Sequence, residues 1–189
     1  MSDQTESPAA GEDTAGGAGP SGEAKPPLAV SAQYIKDLSF EAPNTPAILG
    51  RMQRESPEIS INIDVRATGL QDGIYKVVLH IKSECKVAEA VAFIIELSYG
   101  GVFSVNVPAE QIQPVLLIEC PRLLFPFARN IVADATRDGG FPPLMLGPVD
   151  FISMYRNQLQ KQQQDAASDG AVPASEPAPS GGDGTENPN

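Results

Sequence analysis

Two alternating segments near the middle of the chain constrain its fold more than any other feature. From Glu58 to Ala67 every second residue is apolar, and the alternation returns from Ile74 to Cys85. A period of two is typical of a β-strand that buries one face. The intervening turn ends in Asp72-Gly73, a pair that favours a hairpin. The residues predicted to point inward are Ile59, Ile61, Ile63, Val65, Tyr75, Val77, Leu79 and Ile81.

Two more segments complete a predicted antiparallel sheet. Ser31–Glu41 is strand-like and is broken by a proline-containing stretch. Ala88–Tyr99 continues the meander, is expected to end at Gly100-Gly101, and resumes at Val102–Val105. Short turns between consecutive strands favour antiparallel pairing with one face packed.

The periodicity then becomes helical. Ala109–Glu119 predicts a short helix in which Pro114 starts a new turn or a kink. Leu124, Ala128, Ile131 and Ala135 recur at helical spacing until Gly139-Gly140, and Asp150 is placed to cap a last helix that carries Phe151 and Tyr155. Strands followed by helices predict an α+β fold, in which C-terminal helices pack on a four-stranded antiparallel sheet.

Both ends of the chain differ from the middle in composition. Residues 1–32 and 165–189 are dominated by Gly, Ala, Pro, Ser and acids, so we expect two disordered acidic tails around one folded domain at 33–164. Five acids against one lysine give the first tail a charge of −4, and five acids give the second −5. Of the total of −11, about −2 is left for the folded domain.

This charge distribution argues against nucleic acid as a partner, because phosphate binding needs clustered Lys and Arg. The N-terminus lacks the basic and apolar regions of a secretory signal, and no apolar run is long enough to span a bilayer. Two cysteines without an export signal favour a reducing compartment. We therefore expect a cytoplasmic protein without membrane insertion.

Catalytic patterns are missing from the sequence. His80 is the only histidine, and its place on the polar side of an alternating strand favours a solvated residue over a catalytic base. Cys85 and Cys120 lack the spacing of a zinc or redox site, and the glycine pairs lack the motifs that cradle phosphates. We expect no enzyme activity, no metal and no cofactor.

The segment Cys120–Phe151 carries apolar residues in an irregular, proline- and glycine-interrupted stretch. Such residues can close over a core or line a groove, and the pattern alone favours the core. The strings SFEAPN and CPRLLFPFAR…GGFPPLMLGPVDF, with GVFSV between them, resemble the SecB family of export chaperones in order and in position. The resemblance covers about Tyr34 to Leu159, so residues 33–164 are expected to form a SecB-like chaperone domain.

The resemblance implies a function and an assembly. SecB-like proteins are cytosolic homotetramers, built as dimers of dimers, which bind unfolded precursor proteins without ATP and deliver them to the translocation ATPase SecA. An acidic face that meets the basic tail of SecA is implied at Asp37, Glu41, Ile94 and Glu96. Without the resemblance, these acids would be read as solvated strand residues. The tetramer interface is implied at Ile95, Leu97 and Tyr99, with packing in the core as an equal alternative.

A holdase also needs an adaptable apolar groove. The candidate residues for this client groove are aromatic or flexible, although several must fill the core instead: Phe40, Phe125, Phe127, Phe141, Leu144, Met145, Phe151 and Tyr155. Two rival functions remain at this point. One is a related chaperone of a toxin–antitoxin system, and the other is a small-ligand-binding protein or enzyme that uses the same groove.

Overall fold

The computed structural model describes residues 26–169, with side chains described as far as Gln164. Its elements, in chain order, are β1 Leu28–Glu41, α1 Ala47–Met52, β2 Glu58–Gln71, β3 Ile74–Val87, β4 Ala90–Val105, α2 Ala109–Pro114, a π-helical turn Val115–Glu119, α3 Cys120–Asp138 and α4 Phe151–Asp169. β1 begins before the expected domain start at residue 33, and α4 extends past the expected end at 164. The remaining parts of the two predicted tails lie outside the described residues.

The four strands form one antiparallel sheet in the order β1-β4-β3-β2. β2, β3 and β4 make the predicted meander, and Gly73 takes a positive φ of 68° in the turn between β2 and β3. The chain reaches β2 from β1 through a connection that contains the short helix α1, which was not predicted. β1 and β2 are therefore the two edges of the sheet.

The two faces of the sheet have different environments. Val77, Leu79 and Ile81 of β3 are buried under the helices, as the alternation predicts. Residues directly opposite one another on neighbouring strands share a face. The register therefore assigns Ile95 and Leu97 of β4 to the same helix-covered face. We call the other face, which carries His80, Lys82 and Glu96, the open face.

The predicted interruption of the fourth strand is wrong. β4 runs without a break from Ala90 to Val105 through Gly100 and Gly101. A Cβ atom at Gly101 would lie 2.9 Å from the side chain of Leu124, and one at Gly100 would lie 2.8 Å from the ring of Tyr34. The glycines are thus sites of close approach on opposite faces of the sheet.

The helical layer follows the expected order. A helical path crosses Pro114, because the amide of Val115 donates to the carbonyls of Gln111 and Ile112 and the chain then continues as the π-helical turn. In α3, Leu124 and Ala128 are fully buried against the sheet. Asp150 caps the start of α4 as predicted, since its carboxylate accepts from the amide of Ser153 at 3.0 Å.

Candidate functional site

The acidic residues assigned to docking meet on the open face at the β1 edge. Asp37 lies opposite Ser98, and Glu41 lies opposite Ile94. Glu96 lies between them on β4, opposite Ser39 of β1. Adjacent strands are ~4.8 Å apart, so the four predicted residues form one continuous surface. We call this surface, defined by Asp37, Glu41, Ile94 and Glu96, the acidic edge.

The acids of the open face are not equivalent. Glu96 forms an ion pair with Lys82 of the neighbouring strand. Further towards β2 and the β3–β4 turn, Asp64 pairs with Arg66 at 3.0 Å and Glu84 pairs with Lys86 at 3.2 Å. Among the side chains of residues 26–164, Asp37 and Glu41 form no direct ion pair, so their carboxylates are the ones open to a new partner.

A shallow depression of about 100 Å³ lies beside the acidic edge. It is lined chiefly by polar side chains of all four strands: Asp37, Asn62, Asp64, His80, Lys82, Glu96 and Ser98. Nδ1 of His80 lies 2.9 Å from Oγ of Ser98. Partial burial, followed by the nearby Arg66 charge, lowers the pKa of His80 below 6.5, which favours the neutral ring. His80 therefore lies partly covered within a polar row of the open face, the side of the strand on which it was expected.

The residues implied in the tetramer interface lie under the helices of their own chain. Ile95 is 0% exposed, Leu97 is 2% exposed and Tyr99 is 7% exposed. The hydroxyl of Tyr99 donates to Gln33 at 3.2 Å, and its ring stacks on that of Phe127 at a centroid distance of 6.4 Å. In the described chain these three side chains pack in the core, and their part in a tetramer interface stays a prediction.

The predicted groove residues are spread over several places. Phe141 is buried and packs on Phe40 and Phe93, at centroid distances of 6.1 Å and 5.1 Å. Phe125 and Phe151 are also buried and meet edge to face at 6.0 Å. These contacts make Phe125, Phe141 and Phe151 core residues in the described chain. Several groove candidates were expected to fill the core instead, and these three lie there.

The remaining groove candidates have some access to solvent. Phe127 is exposed on α3, and Met145 is 58% exposed in the loop before α4. Tyr155 lines a cavity of about 490 Å³ between α4, the π-helical turn and the second half of β2. Leu144, although mostly buried, reaches a smaller cavity on the helix-covered side.

That smaller cavity is lined mainly by apolar side chains and lies beside the irregular loop. Its volume is about 100 Å³, and its lining residues come from α1, from β2 and the turn before it, from β3 and β4, and from the loop before α4: Met52, Pro57, Ile59, Cys85, Phe93, Pro142, Pro143 and Leu144. We call it the apolar depression. Ile59 and the nearby Ile61 are 46% and 47% exposed, although they sit on the helix-covered face of β2. The helical layer therefore leaves this corner of the sheet open.

Sequence reasoning missed most of the apolar depression. Ile59 was expected to be covered like Ile63 and Val65, because alternation reports which face a residue is on and not how far the covering layer reaches. Met52 lies in the unpredicted helix α1. The paired prolines Pro142 and Pro143 were the usable signal, since the residue before a proline is disfavoured in a helix and the chain therefore leaves α3 for an irregular path.

A hydrogen-bonded threonine fixes this loop. Oγ1 of the buried Thr136 accepts from the amide of Leu144 at 2.9 Å and donates to a carbonyl of its own helix, either Val132 or Ala133. The amide of Phe141 also donates to the carbonyl of Thr136 at 3.1 Å. The wall of the apolar depression is thus tied to the end of α3.

The cysteines are buried and unpaired. Burial raises the pKa of Cys85, and burial together with the nearby Glu119 charge raises the pKa of Cys120 to about 12. Thiols in this state are poor nucleophiles. Among the side chains of residues 26–164, no group of three or more His, Cys, Asp or Glu is arranged to hold a metal ion. In the same part of the chain, no helix combines the length and apolar character needed to cross a membrane.

Comparisons with known proteins agree with this architecture. The model of a family described as preprotein translocase subunit SecB matches residues 21–162. A protein-export protein SecB of Paramagnetospirillum magneticum is 59% identical over 131 residues, which are 69% of this chain and 84% of the relative. One from Rhodospirillum rubrum is 50% identical over 172 residues, covering 91% of this chain and 99% of the relative.

A solved structure shares the fold. It is a SecB-like chaperone of Mycobacterium tuberculosis in complex with a peptide from an antitoxin, with a TM-score of 0.54 and 11% sequence identity. The alignment covers 65% of this chain and 91% of that one. At this identity the likeness supports the α+β fold alone, whereas the sequence relatives support a chaperone function in protein export rather than an enzyme. The chain belongs to the SecB family of protein-export chaperones.

Proposed function

We propose that this protein works in the cytoplasm without ATP, holds unfolded precursor proteins on the helix-covered side of the sheet, and docks SecA on the open face. The observation that carries the proposal is the separation of two unlike surfaces by one sheet. The apolar depression includes Ile59 on one side, and Glu96 marks the acidic edge on the other.

The client side is supported by exposed apolar surface beside a fixed loop. Ile59, Ile61 and Met145 are each about half exposed. Isoleucine and methionine side chains provide contact area, and methionine adapts to many partner shapes. An unfolded segment that covers this corner buries apolar surface of its own, whereas a folded client has already hidden such segments. The surface therefore selects the unfolded state.

One such site is too small for tight binding, so multivalency is part of the proposal. A site with a dissociation constant of ~100 µM contributes about −5.5 kcal/mol. If further sites are linked along one client at an effective concentration of ~1 mM, each tightens binding about tenfold. Several copies of the apolar depression in one assembly would hold a long chain and release it segment by segment.

The assembly proposed is a homotetramer, a dimer of dimers. Support comes from the β1 edge of the sheet, where Val30, Ile35 and Leu38 are each at least 40% exposed although they lie opposite residues of the helix-covered face. On α3, Leu123 and Phe127 are exposed four residues apart and therefore share one side of the helix. Unpaired edge backbone with apolar neighbours favours pairing with a second copy.

The docking side is supported by charge. Among the described side chains, Asp37 and Glu41 form no direct ion pair, and Glu96 lies next to them. A basic tail of SecA would complement this surface, and salt would weaken the contact because exposed charges are screened beyond ~8 Å at physiological ionic strength.

Ile59→Asp tests the client side of the proposal, and Glu96→Lys tests the docking side. Ile59→Asp places a charge in the apolar depression, and a charge resists burial against an apolar client. The variant should therefore be at least about threefold less effective than wild type in suppressing the aggregation of reduced α-lactalbumin. Ser60→Asp is the matched control, because it adds the same charge on the exposed open side of the same strand. Equal protection by Ile59→Asp and Ser60→Asp would remove the apolar depression from client binding.

Glu96→Lys should abolish binding of the zinc-loaded C-terminal peptide of SecA in isothermal titration and leave client protection unchanged. Retained peptide affinity would remove Glu96 from docking.

The antitoxin-linked alternative has no comparable support, since the chaperone solved with an antitoxin peptide shares only 11% identity, and the relatives named as export proteins share 50% or more.

A further inference from the structure

The carboxylate of Glu96, which would bind a cation of the partner, is already paired with the ammonium of Lys82. The two residues lie directly opposite one another on β3 and β4, and their side chains form an ion pair on the open face. Both are accessible, with Lys82 60% exposed and Glu96 46% exposed. An incoming cation can therefore reach Glu96, but it meets the ammonium of Lys82 there.

The surroundings keep this ammonium charged and in place. The hydrogen bond to Glu96 is the main cause that raises the pKa of Lys82, and the charges of Glu84 and Glu41 act in the same direction. Lys82 and Glu96 also line the depression that contains Asp37. Lys82 therefore stays protonated at physiological pH, and a partner must displace its ammonium from the carboxylate of Glu96.

We propose that Lys82 is an internal competitor that sets the affinity and charge selectivity of the acidic edge, an inference that rests on the docking function proposed above. A single partner cation at Glu96 only replaces one ion pair by another and gains little. A segment with several clustered cations reaches Asp37 and Glu41 as well, and these acids form no direct ion pair with the side chains of residues 26–164. Lys82 therefore favours clustered basic segments over isolated lysines and keeps the complex reversible.

The test is isothermal titration of the full chain with the zinc-loaded C-terminal peptide of SecA in low salt. Lys82→Gln should tighten binding about three- to fivefold, the size expected for removing one exposed competing ion pair. Lys86→Gln is the matched control, because it removes the same charge from the same strand and face but releases Glu84. It should change the affinity less than twofold. Circular dichroism melts check that each variant is folded.

Lys82→Gln combined with Glu96→Gln should lose most of the gain, since the competitor acts through Glu96. The inference is overturned if Lys82→Gln binds no more tightly than wild type, or if Lys86→Gln gains as much. In either case, loss of affinity in Glu96→Gln alone would leave the docking function standing. If Glu96→Gln binds as well as wild type, the docking function at this residue fails and the role of Lys82 fails with it.

Discussion

Replacing Gly101 by alanine should test how closely the helical layer sits on the sheet. The added Cβ would lie 2.7 Å from the ring of Phe103 and 2.9 Å from Cδ2 of Leu124, and both of those side chains are 0% exposed. Neither can move without disturbing the core, so the methyl group creates overpacking, which typically costs ~1–3 kcal/mol. For a domain of this size, the melting temperature should fall by about 4–10 °C.

Urea unfolding followed by circular dichroism measures this effect. Gly147→Ala is the matched control, because a Cβ at Gly147 meets no atom within 4 Å and the loss of glycine freedom in the unfolded chain is the same. Protein concentration must be equal in all samples, since assembly changes apparent stability. If Gly101→Ala unfolds within ~0.5 kcal/mol of Gly147→Ala, the close contact between α3 and β4 is refuted.

Other predictions concern single side chains. Thr136→Val should destabilise the chain by ~1–3 kcal/mol and weaken client binding, because the buried amide of Leu144 loses its acceptor. Thr136→Ser keeps the hydroxyl and should lose much less stability in urea unfolding. Equal losses in the two variants would contradict the role of the hydroxyl. Cys85 and Cys120 should resist Ellman's reagent at about pH 8 in the native protein and react fully in urea, whereas fast native labelling would contradict their burial and raised pKa values. Because the pKa of His80 is lowered in the folded chain, the unfolded chain binds more protons just below pH 6.5, and stability should fall as the pH drops through that window. His80→Asn should flatten this part of a profile of melting temperature against pH. An unchanged profile would contradict the lowered pKa of His80.

The alternation of apolar and polar residues was the sequence pattern that predicted the structure best. Val77, Leu79 and Ile81 face the helices because covered and open sides of a sheet demand different residues. The same signal failed at Ile59, which has the correct face but no cover. How far α3 and its loop extend over the sheet is a tertiary property, and a period of two carries no information about it.

The remaining differences also have tertiary causes. Gly100-Gly101 resembled a strand break, because glycine is usually a turn or loop residue. In the structure, the pair admits Tyr34 and Leu124 at close range on the two faces of a continuous strand. Pairing of β1 with β4 joins Glu41 to Ile94 across a long stretch of chain, a contact that local pattern cannot predict.

The acidic edge could be assigned only through family resemblance. The charges of Asp37, Glu41 and Glu96 by themselves favour solvated strand residues over a docking site. Their common face became visible with the β1–β4 register, and the partner of Glu96 became visible with the β3–β4 register. The separate positions of Phe127, Phe141 and Phe151 show why aromatic content alone did not locate a groove.

Clients and SecA are proposed to use opposite sides of one sheet. The most direct test titrates the zinc-loaded C-terminal SecA peptide into the protein with and without a saturating unfolded client, reduced α-lactalbumin. Because the acidic edge is separate from the apolar depression, the dissociation constant of the peptide should agree within about twofold in the two titrations. Loss of peptide binding in the client-loaded protein would show that the two ligands share a surface, and it would contradict the account.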